Sequence, residues 1–292
     1  MSEPSKPAPA ADPGGKPDMV SKRTSRARRS DVRTGNSAAA MTTRERVYLA
    51  ASLDPSQILR CAGITPDPWQ VAFLTSTAQK ILLCASRQSG KSTSSACLAA
   101  WNLAFRPGSL SVIVSPSFRQ SQETFRKVVQ LHEALGAPVS VSGQTSGSIT
   151  LRDGSRVICT PGTERSVRGL TPDLLLVDEA SRLPDETFSA LSPALAASKG
   201  RWIAISTPNG KSGWFSSLWH AQDPSWLRVS VAAPEIARFD AAYLEGEKRV
   251  LGERVFAQEF LAQFSDNEDN QVRLVTPAQV SALFSDAVRP LF

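Results

Sequence analysis

The sequence predicts an α/β fold, a mostly parallel sheet with helices on both faces. Apolar runs of strand length alternate with helix-length stretches, the rhythm of consecutive βαβ units. The run Ile81-Leu82-Leu83-Cys84 passes through a tight Ser- and Gly-containing turn straight into a helix-like segment. The run Leu174-Leu175-Leu176-Val177 is apolar throughout, as a strand covered on both faces must be, and it ends in the adjacent carboxylates Asp178 and Glu179.

Residues 1–40 are rich in Pro, Ala, Ser and Gly around the basic cluster Lys22-Arg23-Thr24-Ser25-Arg26-Ala27-Arg28-Arg29. Without apolar periodicity this stretch cannot bury a core, and it is predicted to be a disordered basic arm. It is either a solvated tail or an arm that touches DNA phosphates. Helical signals begin near Thr42, and a second short helix is expected over 55–61. In Thr65-Pro66-Asp67-Pro68-Trp69-Gln70, Asp67 suits an N-cap and Pro68 the first helical position, with Trp69 and Phe73 on the core side. Gln70 is either a solvent-facing amide or one that pairs with the donor–acceptor edge of adenine.

The stretch Ala85-Ser86-Arg87-Gln88-Ser89-Gly90-Lys91-Ser92 then stands between strand and helix, the context of a phosphate-binding loop. Backbone N–H groups at a helix start lack intrahelical partners and, with the helix dipole, can hold phosphate oxygens. Lys91 supplies a point charge for the β- and γ-phosphates, and the Ser92 hydroxyl can ligate Mg²⁺. Ala85 departs from the usual pattern, which has a glycine there.

The following helix is expected over 91–105, stopped by Arg106-Pro107-Gly108. Leu110 to Val114 reads as a buried strand. A helix with Phe125, Val128, Val129, Leu131 and Leu135 on its apolar side follows, and residues 143–147 read as loop. Strands over 148–151 and 156–159 flank Asp153-Gly154, a hairpin turn signal. Residues 165–170 read as a polar, basic loop. Alternation along the strand 174–179 points Asp178 and Glu179 in different directions and gives them different jobs. Asp178 is the candidate for holding Mg²⁺ through its water shell beside Ser92, and Glu179 the general base that polarises the attacking water. After a helix over 184–197, the strand 201–205 runs into Ser206-Thr207-Pro208. Small hydroxyl residues at that strand end can sense the γ-phosphate or its water, or simply form a turn. A short helix at Trp214, Phe215 and Trp219 and a strand over 226–231 come next. A long helix over 240–264 is expected to bury Leu244, Val250, Leu251, Val255, Phe256, Phe260, Leu261 and Phe264.

The 292 residues suffice for a sizeable core, and 41% hydrophobic with 21% charged residues reads as globular. No apolar run reaches the roughly 18 residues of a membrane span, and the polar N-terminus lacks a signal-peptide centre, so a cytoplasmic protein is expected. The net charge of +6 favours a polyanionic partner. Cys61, Cys84, Cys97 and Cys159 have no C-x-x-C spacing and only two histidines accompany them, so they read as free thiols rather than a zinc site.

Taken in order, Pro68-Trp69-Gln70, Ser86-Arg87-Gln88-Ser89-Gly90-Lys91-Ser92-Thr93, Val167-Arg168-Gly169, Leu174 to Glu179 and Ser206-Thr207-Pro208 resemble the large terminase subunit of tailed bacteriophages. The altered first position of the phosphate loop is usual in that family. The resemblance covers roughly residues 64–270 and implies a RecA-like P-loop NTPase. It implies an ATPase domain over 41–270, with 271–292 a tail or the start of a nuclease domain that this chain does not carry. The acidic run 266–269 lacks the strand context of a two-metal site, and no nuclease activity is assigned to it.

The resemblance further implies ATP and Mg²⁺ as cofactors, with residues 86–93 and Gln70 as the nucleotide contacts, Glu179 as the catalytic base and Ser206-Thr207-Pro208 coupling hydrolysis to DNA movement. Arg87 matches a position that acts within the subunit, and Arg168 one that acts on a neighbour's nucleotide. The implied partners are double-stranded DNA, a portal protein and a small terminase subunit, with the chain in a homo-oligomeric ring on the procapsid in the cytoplasm of an infected bacterium. A helicase or DNA-remodelling ATPase shares the glutamine, loop and carboxylate pair, though helicases usually carry a second RecA-like domain. A degenerate module that only binds DNA or an assembly partner is the non-enzymatic alternative.

Overall fold

The computed structural model describes residues 41–167 and 169–265. The expected arm, the acidic run, the C-terminal tail and Arg168 lie outside the described residues. Among the described residues eight strands form one sheet in the order β3-β4-β5-β2-β6-β7-β1-β8. The strands are β1 (Lys80–Ala85), β2 (Leu110–Ser115), β3 (Val141–Gln144), β4 (Ser148–Leu151), β5 (Arg156–Pro161), β6 (Leu174–Asp178), β7 (Arg201–Ser206) and β8 (Leu227–Val231). Six of them, from β5 across to β8, run parallel. The β3-β4-β5 edge is antiparallel.

The helices are α1 (Thr43–Leu53), α2 (Ser56–Cys61), α3 (Pro68–Thr75), α4 (Lys91–Phe105), α5 (Phe118–Ala134), α6 (Glu164–Val167), α7 (Asp185–Ser198), α8 (Gly213–His220) and α9 (Ala241–Phe260). Period-2 alternation sends successive strand residues to opposite faces. Ile81, Leu83, Ile113, Leu176, Ile203 and Ile205 face a core shared with α4 and α5. Leu82, Val112, Val114, Leu175, Val177 and Ala204 face a second core with α7 and α8. Each fully buried Val, Leu or Ile among them contributes about 1.5–3 kcal/mol, so the central strands are held firmly between the two cores.

Helix boundaries follow their local chemistry. Asp67 and Gln70 form a capping box on α3, with Pro68 at its first position. Ser117 caps α5 by accepting from Gln120 N, and Asp240 caps α9 by accepting from Tyr243 N. The α4 helix begins after Gly90, whose φ of 96° lies in the left-handed region that glycine tolerates.

Several expectations need correction. Residues 143 and 144 belong to β3, an exposed edge strand, because the hairpin pairs Val141 with Leu151 and Gln144 with Ile149. Part of the expected basic loop at 165–170 is the short helix α6. Glu179 is not in the strand: its φ is 54°, and it starts a 3-10 turn over Ala180–Arg182. In α9, Val250, Leu251 and Val255 are exposed by 83%, 36% and 37%. Gly252, at φ 76° and ψ 161°, breaks the helical phase there, so a single apolar stripe does not run its length. Trp69 is half-buried against the first core rather than enclosed in it.

Candidate nucleotide site

β1, β7 and β6 lie side by side, and the loops from their carboxyl ends carry the phosphate loop, Ser206-Thr207 and Asp178-Glu179. Parallel strands collect such loops at one rim of the sheet, where ligands of open α/β sheets bind. The fold therefore brings together residues that the sequence holds far apart.

Lys91, the first residue of α4, is 6% exposed. Its ammonium donates to Thr207 Oγ1 at 2.7 Å, Ser86 O at 3.0 Å and Ala85 O at 3.3 Å. Thr207 Oγ1 in turn donates to Ala85 O at 3.1 Å, which ties the end of β7 to the start of the loop. Burial pulls the Lys91 pKa down, while Glu179 and Asp178 work against that pull. Gln88, with φ 56°, and Gly90 give the loop two left-handed residues, the backbone of an anion-binding concavity. The hydroxyls of Ser86 and Ser89 are buried within it without a protein partner. A side chain at Gly90 would come within 2.9 Å of Gln70 Nε2, and the φ of 96° there already favours glycine.

Gln70 is 4% exposed and both ends of its amide are engaged. Its Oε1 accepts from Asp67 N at 2.8 Å, and its Nε2 donates to Ser94 Oγ at 2.9 Å. An adenine contact at Gln70 therefore requires exchange of these bonds. Arg238 reinforces the same junction, donating to Asp67 Oδ2 at 2.7 Å and to Gln88 O at 2.9 Å. Arg87, largely exposed, sits 3.5 Å from Glu259 of α9, and its backbone N donates to Glu259 O at 2.7 Å.

Asp178 is 5% exposed, accepting from Thr124 Oγ1 of α5 at 3.0 Å and from Glu179 N at 3.0 Å. Burial raises the Glu179 pKa above the ordinary carboxylate value, and Asp178 adds to the rise. Lys91, Arg182 and Arg87 oppose it, Arg182 from 3.5 Å. A carboxylate with a raised pKa is a stronger proton acceptor than an exposed one, which suits a general base. Ser206 is fully buried, its hydroxyl 2.6 Å from that of Ser181, and Ser181 donates to Thr207 O at 2.8 Å. The strand end that carries Thr207 is thus joined to the turn that follows Glu179.

Ser92 and Asp178 offer hard oxygen donors of the kind Mg²⁺ takes. Among the described residues no group of three or more His, Cys, Asp or Glu side chains is arranged as a metal cage. That donor set fits an ion that keeps several waters and leans on substrate phosphates. Thr124, Arg182, Arg238 and Glu259 were not among the residues singled out in the sequence. Arg182 lies three positions from Glu179 and was findable by spacing, whereas Thr124 is 54 positions from Asp178 and Arg238 is 171 from Asp67.

Known proteins resemble this chain in sequence and in fold. The terminase large subunit of Thermus phage G20c is 31% identical over 173 residues, covering 52% of this chain and 36% of the relative. The chain thus spans about a third of that relative's length. The ATPase domain of the Thermus phage P74-26 large terminase is 25% identical with a TM-score of 0.65, covering 73% of this chain and 100% of that one. The large terminase of another thermophilic bacteriophage, solved in complex with ADP, shares the fold at 12% identity and a TM-score of 0.54, covering 72% of this chain and 52% of that one. A sequence model of the family described as "Terminase large subunit, T4likevirus-type, N-terminal" matches residues 82–284, more than half of the chain. With a P-loop NTPase fold and the phosphate loop, the carboxylate pair and Thr207 gathered at one rim of the sheet, the chain belongs to the terminase large-subunit family.

Proposed function

We propose that this chain is the ATP-hydrolysing part of a motor that moves double-stranded DNA into a viral procapsid. The observation that carries the reading is the meeting of Lys91, Thr207 and Glu179 at the carboxyl ends of adjacent parallel strands. The loop 86–93 cradles the triphosphate, with Lys91 trading its carbonyl contacts for the β- and γ-phosphates. Ser92 and Asp178 would hold Mg²⁺, which would supply charge neutralisation at the phosphate oxygens. Glu179 accepts the proton of the attacking water. Arg87 stabilises charge on the γ-phosphoryl group of its own site, and Arg168 does so for a neighbour in a homo-oligomeric ring. Thr207 contacts both Lys91 and Ala85, and so Ser206-Thr207-Pro208 relays a change at the phosphate to β7 and the turn after Glu179. The ADP complex of the thermophilic-phage relative supports ATP as the substrate. Portal protein and small subunit are the partners that family membership supports, with work in the host cytoplasm; no helix among the described residues is long and apolar enough to cross a membrane.

Phosphate release by the purified chain, with and without double-stranded DNA, tests this. Glu179→Gln should lower turnover by at least about 10²-fold while ATP still binds. Lys91→Ala should weaken nucleotide binding itself. Near-normal turnover in the first variant or unchanged affinity in the second would remove these assignments.

A further inference from the structure

Thr124 lies in the buried face of α5, 2% exposed, beside Phe125, Val128 and Leu131, which fix the helix against the first core. In a helix a threonine hydroxyl commonly turns back to the carbonyl three or four residues earlier. Here it points at Asp178 Oδ2, 3.0 Å away. An ionised carboxylate only accepts, so the hydroxyl proton must lie on this line. The second oxygen, Oδ1, accepts from Glu179 N at 3.0 Å.

The backbone of β6 fixes where the Asp178 side chain starts, but the terminal torsion of an aspartate is soft and close to two-fold. One donor on each oxygen removes that freedom. It also uses one lone pair on each oxygen and leaves one on each free to accept. Mg²⁺ demands near-octahedral geometry, and groups behind its ligands are therefore sensitive positions.

We propose that Thr124 is a positioning residue that sets the plane of the Asp178 carboxylate toward Mg²⁺, an inference that rests on the Mg²⁺-dependent ATP hydrolysis assigned above. α5 is then more than a cover for the sheet. It carries the second anchor of the metal-binding carboxylate, 54 positions away in the sequence.

The test compares Thr124→Val, which keeps the shape and deletes the donor, with Thr124→Ser, which keeps the donor. Mg²⁺ is titrated into ATP hydrolysis, and ADP affinity is measured by calorimetry with Mg²⁺ and with chelator. Thr124→Val should raise the Mg²⁺ concentration for half-maximal hydrolysis by about 10-fold or more and shrink the gain in ADP affinity that Mg²⁺ confers. ADP affinity in chelator should not change, and Thr124→Ser should match the parent. If Thr124→Val does not fold, Thr124→Ala deletes the same donor and is read in its place. An unaltered Mg²⁺ midpoint in the donor-less variant, or an equal shift in Thr124→Ser, overturns the inference. A parent protein without Mg²⁺-dependent hydrolysis would instead overturn the ATPase reading beneath it.

Discussion

Glu179 carries two burdens: a left-handed backbone at φ 54° and a carboxylate withdrawn from water. Non-glycine residues in that region cost on the order of 1 kcal/mol or more and persist where the surroundings hold them, here Arg182 and the bonds from Ser181 to β7. The raised pKa has a thermodynamic sign. The folded protein holds the Glu179 proton more tightly than the unfolded chain, so the contribution is fully favourable below the ordinary value of 4.5 and is lost as pH rises through the raised folded value. Glu179→Gln should therefore melt at a higher temperature than the parent near neutral pH, and that gain should vanish below the ordinary carboxylate value. Thermal melts across that range check it, and a variant that melts lower at neutrality refutes it. The phosphate loop and the carboxylate pair were legible in the sequence because each is a run of neighbours at the end of an apolar strand. Thr124, Arg238 and Glu259 were not, because nothing local to a threonine in an amphipathic helix marks the aspartate it meets across the core. The left-handed turn at Glu179 was also hidden, since an apolar run ending in Asp-Glu reads as strand to its last residue.

Among the elements, those with strong start and stop signals were read correctly: α4 runs from Lys91 to Phe105, and Pro107-Gly108 follow its end. β3 was missed because Val141–Gln144 is exposed on both faces and gains its strand character only by pairing with β4. Its register could not be written before the hairpin existed. The join between α7 and β7 makes an element-scale prediction. A Cβ at Gly200 would lie 2.2 Å from Pro172 O and 2.9 Å from Asp173 O, backbone atoms at the entry to β6. Neither can retreat freely, since Pro172 O accepts from Ser198 Oγ at 2.6 Å and Asp173 O from Arg201 N at 2.8 Å. Gly200→Ala should destabilise the chain by about 1–3 kcal/mol or more through overpacking. In urea this should appear as a lower midpoint at unchanged slope, and an unmoved midpoint would show that the turn can yield.

At the scale of the whole molecule, the parallel core was foreseeable from alternation alone, whereas the order of its strands was not, because similar apolar strands can be exchanged without altering the pattern. The assembly proposal belongs here as well. An Arg168→Ala chain mixed with an Arg168-intact Glu179→Gln chain should regain hydrolysis, since the second can lend an arginine although it cannot turn over. Arg87→Ala should gain nothing from the same partner; rescue of both or of neither in a phosphate-release assay would end the division of roles. The phosphate loop is bound to parts of the chain made much later: Ser86 N donates to Val231 O, Arg87 N to Glu259 O and Cys84 Sγ to Ala262 O. Closing such distant contacts carries a loop entropy that adjacent contacts avoid, and chains dominated by them fold slowly. The motif that comes first in the catalytic rim is accordingly among the last to be set. A ribosome must deliver α9 before the loop after β1 can meet Glu259, so the nucleotide rim is completed only when nearly all of the described chain has been made.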